Sequence, residues 1–153
     1  MEIRAASLEN LEAVRSLVAE AALPLEGLED QFGSAYAVAL ESGRLVGAAG
    51  VERYGGYGLL RSVVTAADRR GGGIGEALVR DRLAWAERAG LEPIYLLTTT
   101  AAGYFPRLGF TAVERAAVPA EIRSSREFSS VCPSSAVVMC RPLVPSGSAA
   151  PAR

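Results

Sequence analysis

Residues 62–80, which read SVVTAADRRGGGIGEALVR, decide the fold. A β-branched run leads into a glycine cluster, and a helical pattern begins directly after it. Glycine tolerates positive φ angles and lets backbone N–H groups approach a ligand closely. The first N–H groups of a helix have no partner within it, and the helix dipole adds partial positive charge. The segment therefore predicts a strand–turn–helix unit that binds a phosphate or pyrophosphate, with Arg70 adding a charge-assisted contact.

The glycine spacing excludes two common phosphate-binding motifs. A P-loop needs GxxxxGK followed by Ser or Thr, and this turn contains no lysine. A dinucleotide-binding fingerprint needs GxGxxG after the first strand. The glycines at 71, 72, 73 and 75 do not have that spacing, and the turn follows the fourth predicted strand.

Hydrophobic patterning outside this segment predicts alternating strands and helices. We therefore predict an α/β fold with a mixed sheet and helices on its faces. We expect strands at 2–5, 35–41, 44–53, 59–65, 94–99, 110–114 and 136–141, and helices at 8–21, 26–31, 75–89, a short stretch ending at 108, and 120–128.

Composition limits the class of protein. The chain has 153 residues, of which 50% are hydrophobic and 22% charged, which predicts a folded domain at 1–144 and a flexible tail at 145–153. The net charge of -1 gives no electrostatic reason to expect nucleic acid or a membrane surface as a partner. The N-terminus has no apolar signal region, so we expect a cytoplasmic protein whose Cys132 and Cys140 are free thiols.

The chain contains no histidine. A His-based triad, a His-ligated zinc ion and an imidazole proton shuttle are therefore excluded. The two cysteines lie eight residues apart, a spacing that matches no zinc site, and we assign Cys132 no metal role. Any chemistry must use carboxylates, hydroxyls, water or backbone groups.

Two linked motifs carry a resemblance to a known family. The pattern Arg-x-x-Gly-x-Gly at 70–75 resembles the coenzyme A loop of GNAT N-acetyltransferases. The strand YLLTTT followed by AAGYFPRLGF, which ends at Gly109-Phe110, resembles the second half of the GNAT pattern. The resemblance extends over residues 2 to 115. It implies a single GNAT-like domain with a mostly antiparallel central sheet, helices on both faces, and two splayed parallel strands, 59–65 and 94–99, that form the CoA cleft.

The same resemblance implies acetyl-CoA as co-substrate, with no metal. An amide near the end of the first splayed strand would polarise the thioester carbonyl. The pantetheine arm would pair with backbone groups of Val63, Val64 and Thr65. The pyrophosphate would lie in the loop formed by Arg70, Gly71, Gly72, Gly73, Ile74 and Gly75.

The groups that move protons follow the family pattern less closely. Many GNAT proteins have a tyrosine four residues before the glycine of Gly-Phe, where this chain has Phe105. Tyr104 lies one residue earlier, so it either reaches the leaving sulfur as general acid or packs with Phe105. We predict Glu52, at the end of strand 44–53, as general base; the alternatives are a water chain and a solvated strand end.

Arg61 interrupts the apolar strand LLRSVV and must have a partner, because an unpaired buried charge is costly. It either clamps a substrate carboxylate or other oxyanion, or forms a salt bridge with Glu52. Thr98 and Thr99 either line the acceptor pocket or satisfy backbone groups at the strand end.

The segments LLRSVV, YLLTTTAAGYF and VPAEIRSSREFSSVCPSSA also resemble the arsenic-resistance type of GNAT acetyltransferase. Relatives of that type acetylate the α-amino group of small amino-acid antimetabolites such as arsinothricin and phosphinothricin. Arg123 and Arg126, three residues apart, would share a helical face and bind the oxyanion of the acceptor. The alternative for both arginines is a solvated surface.

The leading functional prediction is therefore acetyl transfer to a small amino-acid-like amine that carries an oxyanion, which would give resistance. Two alternatives remain: acetylation of another amine, either a metabolite or a protein N-terminus, and a non-catalytic CoA-binding module. The presence of Phe105 in place of the family's tyrosine keeps the last one open. The sequence gives no indication of oligomeric state, so a homodimer is neither favoured nor excluded.

Overall fold

A computed structural model describes residues 1–130 and 136–142 of the chain. Cys132 and the predicted tail at 145–153 lie outside the described residues. The seven strands of the described part form one sheet in the order β1-β2-β3-β4-β5-β7-β6, and every neighbouring pair is antiparallel except β4 and β5. The strands are β1 (Glu2–Ala5), β2 (Tyr36–Glu41), β3 (Arg44–Tyr54), β4 (Tyr57–Thr65), β5 (Ile94–Thr98), β6 (Thr111–Ala112) and β7 (Val137–Arg141).

The two longest helices lie on opposite faces of this sheet. The helices are α1 (Leu11–Glu20), α2 (Ile74–Arg88), α3 (Ala120–Arg123) and α4 (Arg126–Ser130). Val38 of β2 packs in a cluster with Val14 of α1, whereas the adjacent residues Ala37 and Ala39 pack with Leu78 of α2. Because successive side chains of a strand point to opposite faces, α1 and α2 cover different faces. The predicted mixed, mostly antiparallel sheet with helices on both faces is confirmed. No helix within the described residues is long and apolar enough to cross a membrane.

Three element predictions were wrong in detail. Residues 26–31 form turns instead of a helix, and the segment includes Gly27 at a φ of +80°. The strand predicted at 110–114 is reduced to β6. The helix predicted at 120–128 is interrupted between α3 and α4, where the Ser125 hydroxyl accepts a hydrogen bond from the Phe128 amide at 3.2 Å. Serine used in this way starts a new helix, so Arg123 and Arg126 do not share one helical face.

Gly50 of β3 is a packing requirement of the sheet. It lies opposite Tyr36 in the register, and a Cβ atom added at this position would lie 2.3 Å from the Tyr36 ring. The ring cannot swing away because it is fully buried and its hydroxyl donates to Glu52.

We therefore expect Gly50→Ala to lower the free energy of unfolding by about 1–3 kcal/mol, the usual cost of overpacking a core. Urea unfolding followed by circular dichroism measures this. Gly56→Ala is the control, since a Cβ atom there meets nothing within 4 Å. Equal stabilities for the two variants would contradict this account of the β2–β3 packing.

Candidate active site

The parallel strands β4 and β5 pair only where they begin. Their register consists of Gly58 with Ile94 and Leu59 with Tyr95, and beyond these residues the structure records no further β4–β5 pair. The strands therefore diverge, as the family resemblance implied, and a cavity of about 780 Å³ opens between them. Its wall is formed by the two strands, the start of α2, residues 22–26, residues 98–107 and Glu127.

A β-bulge shapes the β4 side of the cavity. The register with β3 shifts between Ala48 and Gly50, so that Ser62 and Val63 both lie opposite Ala49. Ser62 has a φ of +58°, an uncommon value for a residue other than glycine. Bulges of this kind redirect the backbone away from its neighbouring strand. Ser62 and Val63 line the cavity at this bulge. The amide that the family resemblance places near the end of this strand, to polarise the thioester, stays a prediction.

The glycine-rich turn presents an open helix N-terminus to the cavity. Gly71 and Gly73 have φ values of +87° and +88°, and a Cβ atom at either would meet nothing within 4 Å. Gly73 is the N-cap of α2, and no side chain of the described residues caps the first turn. The unpaired amides and the helix dipole suit a phosphate group. The residue set therefore fits the pyrophosphate of coenzyme A, as predicted from the glycine pattern.

Most of the predicted cofactor residues line this end of the cavity. Arg70 lines it while its Nε donates to the Thr65 carbonyl at 3.3 Å. Gly72 belongs to the same turn but lies outside the cavity wall. The predicted residues in the wall are Val63, Val64, Thr65, Arg70, Gly71, Gly73, Ile74 and Gly75.

A buried ion pair lies at the β4 bulge. Arg61 lines the cavity, and its Nη1 lies 3.5 Å from Oε2 of Glu52. The salt bridge that the sequence suggested as one role for Arg61 is therefore present. The guanidinium also donates to the carbonyls of Glu26 at 2.8 Å and Pro24 at 3.0 Å, and to the Ser62 hydroxyl at 3.2 Å. Through these hydrogen bonds, Arg61 connects the 24–26 segment to strand β4.

Glu52 is fully buried and lies outside the cavity wall, so the expected alternative of a solvated strand end does not apply. The Tyr36 hydroxyl donates to Oε2 at 3.0 Å, and the Tyr54 hydroxyl donates to Oε1 at 2.6 Å. Burial, together with the Glu52 carboxylate, raises the pKa of both tyrosines well above the usual value. Both phenols therefore keep their protons and remain donors, which occupies both oxygens of Glu52.

Glu127 of α4 was not singled out by sequence reasoning, although it lies in the wall of the cavity. It is 4% exposed, and burial raises the pKa of its carboxyl to about 7, against the opposing effect of Arg61. In the sequence, Glu127 lies between Arg126 and Phe128, a pattern typical of a short helix whose carboxylate faces solvent. Only the tertiary placement of α4 against β4 distinguishes Glu127 from a surface residue.

The other predicted acceptor residues divide into two groups. Thr98 and Thr99 line the cavity, and the Thr98 hydroxyl accepts a hydrogen bond from the Ala101 amide at 2.9 Å, so the expected contact with backbone at the strand end is present. Arg123 is exposed, and Arg126 forms a surface ion pair with Asp30 at 3.2 Å. Both arginines lie outside the cavity wall because α3 and α4 turn them toward solvent.

Tyr104 lines the cavity and packs edge-on against Phe105, with ring centroids 5.1 Å apart. Its hydroxyl lies 3.9 Å from the position of a Cβ atom on Gly75, a position that is also 3.5 Å from the Thr65 hydroxyl. Burial and the Glu76 carboxylate raise the pKa of the Tyr104 phenol, which therefore keeps its proton.

Within residues 1–130 and 136–142, no three side chains of the His, Cys, Asp or Glu type come together as a metal site.

Comparison with solved structures gives close fold matches. Rv2747 from Mycobacterium tuberculosis, solved in complex with CoA and a second ligand, is 25% identical with a TM-score of 0.79 over 94% of this chain and 100% of its own. The N-acetylglutamate synthase from Neisseria gonorrhoeae, complexed with coenzyme A and N-acetyl-glutamate, is 20% identical with a TM-score of 0.79 over 94% of this chain and 35% of its own. The ribosomal-protein-S18-alanine N-acetyltransferase from Escherichia coli is 17% identical with a TM-score of 0.70 over 92% of each chain.

Among curated protein sequences, none matches the chain significantly. The family model for the acetyltransferase (GNAT) family matches residues 5–110, which include the splayed strands, the glycine-rich turn and the Gly109-Phe110 pair. The chain therefore belongs to the GNAT family, and it is an acetyl-CoA-dependent N-acetyltransferase.

Proposed function

We propose that the protein acetylates the amino group of a small amino-acid-like acceptor that carries an oxyanion, and thereby confers resistance to compounds such as arsinothricin and phosphinothricin. The observation that carries this proposal is the buried Arg61 in the cavity wall beside the β4 bulge. A guanidinium has five N–H donors, and Arg61 makes four contacts with described residues. A guanidinium in the cavity wall suits the oxyanion of a small amino-acid-like acceptor, and the Glu127 carboxylate in the same wall suits its amino group.

Thr98 and Thr99 add hydroxyl groups on the opposite, β5 side of the cavity. Acetyl-CoA supplies an activated acyl group, and the chain supplies the surfaces that orient it. The amides of the glycine-rich turn bind the pyrophosphate, and the backbone at Val63, Val64 and Thr65 follows the pantetheine arm. Because Arg123 and Arg126 lie outside the cavity wall, we leave them out of the proposed acceptor site.

The experiment is a thiol-release assay with purified protein, acetyl-CoA and a panel of amines. The panel contains phosphinothricin, arsinothricin, common amino acids and peptides with a free N-terminus. Release with the oxyanion-bearing amino acids supports the proposal. Release only with peptides or other amines would favour the second acceptor class, and CoA binding without release on any amine would indicate a non-catalytic module.

Tyr104 allows a separate prediction about the leaving group. Its hydroxyl lies near Thr65 and Gly75. Thr65 is three residues along β4 from Ser62, which corresponds to a distance of roughly 10 Å along the strand. We propose that Tyr104 packs along the cofactor arm and does not protonate the thiolate. Tyr104→Phe should then change kcat by less than about threefold, while Tyr104→Ala should raise the KM for acetyl-CoA about tenfold. Steady-state kinetics measures both effects. A loss of kcat of about 100-fold in Tyr104→Phe, at unchanged KM, would instead assign the general acid to Tyr104.

A further inference from the structure

We propose that Glu127, and not Glu52, accepts the proton of the acceptor's ammonium group, an inference that rests on the acetyl transfer proposed above. A general base must come within hydrogen-bond distance of the proton that it removes. Glu127 lies in the wall of the cavity, whereas Glu52 lies outside the wall.

Glu52 is also committed to other contacts. Its Oε1 accepts from Tyr54, and its Oε2 accepts from Tyr36 and lies against Arg61. These donors occupy both oxygens of Glu52, which lies beside the buried Arg61 guanidinium. Its role in this arrangement is to position Arg61.

The charges around Glu127 favour an ammonium group beside it. Among residues 1–130 and 136–142, the charged and titratable groups that face it are Arg61 on β4, Glu52 on β3 and the Tyr36 hydroxyl on β2. With both carboxylates ionised, the cluster holds two negative charges and one positive charge in a buried site. An acceptor ammonium would balance this excess, and transfer of its proton to Glu127 leaves the cluster neutral. Burial also raises the pKa of Glu127 to about 7, where a carboxylate is an effective base at neutral pH.

The proton and electron pairs balance in this scheme. One ammonium N–H bond breaks, and its proton goes to a Glu127 carboxylate oxygen. The freed nitrogen lone pair forms the new N–C bond with the thioester carbonyl carbon, and the C–S bond breaks, with its electron pair leaving on sulfur. The second N–H proton of the new amide nitrogen goes to the thiolate, and Glu127 returns its proton to solvent.

The test compares Glu127→Gln with the matched variant Glu52→Gln, using an amine that the wild type acetylates and measuring kcat/KM from pH 5.5 to 9. For the wild type we expect an acidic limb with an apparent pKa near 7. Glu127→Gln should lose at least about 100-fold in kcat/KM at pH 7. Its rate should rise about tenfold per pH unit as the acceptor deprotonates in solution. The Kd for CoA, measured by calorimetry, should be unchanged, and Glu52→Gln should keep the acidic limb.

The two proposals fail in different ways. A wild type that acetylates peptides but no oxyanion-bearing amino acid refutes the proposed acceptor and leaves Glu127 to be tested with the peptide. Glu127→Gln with more than half of the wild-type kcat/KM, or with an unchanged acidic limb, overturns the role of Glu127. Loss of the acidic limb in Glu52→Gln alone would assign the base to Glu52. A wild type that is inactive with every amine overturns both proposals.

Discussion

Gly73→Glu is expected to weaken CoA binding by at least about 100-fold, or roughly 2.7 kcal/mol. Gly73 caps α2 at a φ of +88°, and a side chain there begins in open space at the end of the cavity proposed to bind the pyrophosphate. A glutamate would place a carboxylate among the first-turn amides and near Arg70, the groups suited to the pyrophosphate. Calorimetric titration of the variant with CoA measures the loss.

Two controls separate charge from backbone strain in this prediction. Gly73→Asn introduces a neutral residue that tolerates positive φ, and it should bind CoA within about tenfold of the wild type. Gly72→Glu places the same charge one residue away, outside the cavity wall, where a Cβ atom meets only the Arg69 carbonyl at 3.7 Å. If Gly73→Glu bound CoA as well as Gly72→Glu does, the glycine-rich turn would not be the pyrophosphate site.

Arg61→Met is expected to lower the free energy of unfolding by roughly 3–5 kcal/mol, the usual result of removing one partner from a buried ion pair. The substitution leaves Glu52 and Glu127 buried without their cation, and it releases the carbonyls of Pro24 and Glu26. Because Pro24 and Glu26 line the cavity, the KM for the acceptor should rise more than the KM for acetyl-CoA. Equal increases in both would indicate a purely structural salt bridge.

The loss in Arg61→Met should depend on pH. Arg61 lowers the pKa of Glu127, so its removal lets that pKa rise further above the unfolded value. A carboxyl whose folded-state pKa is raised makes stability fall as pH increases through the interval between the two pKa values. Urea unfolding should therefore show a larger penalty at pH 8 than at pH 5.5.

A double variant identifies which carboxylate needs the cation. Arg61→Met combined with Glu52→Gln should be more stable than Arg61→Met alone, because it removes one uncompensated buried charge. If the double variant were no more stable, the penalty would come from Glu127 or from the lost contacts with the carbonyls of Pro24 and Glu26.

The glycine-rich turn could be predicted because its cause is local. Positive φ at Gly71 and Gly73, and the start of α2 at Ile74, follow from residues that are adjacent in the chain. The divergence of β4 and β5 came from family resemblance, since strand pairing depends on residues more than thirty positions apart.

The acceptor end was predicted less well because its residues meet only in the tertiary structure. In the sequence, Glu52 is a polar residue at the end of a strand, and its hydrogen bonds with Tyr36 and Tyr54 appear only in the tertiary structure. In the sequence, Glu127 resembles a surface carboxylate. In the structure, the helix is interrupted at Ser125, and Glu127 of α4 lies in the cavity wall. Charge pairs of this kind leave no periodic pattern in a sequence, so composition and spacing alone could not show that Glu127 lies in the cavity wall and Glu52 does not.

The divergence of β4 and β5 also affects how much the stability of the folded protein depends on bound CoA. Beyond Leu59 and Tyr95 the structure records no further pairing between these two strands. The proposed position of the cofactor arm along Val63, Val64 and Thr65 would fill this gap in the sheet. A ligand present at 100 times its Kd adds about 2.7 kcal/mol to the stability of the folded state. Domains of ordinary stability have only about 5–15 kcal/mol in total. We therefore expect the unfolded fraction of the protein, and its cleavage by proteases, to increase when CoA is removed.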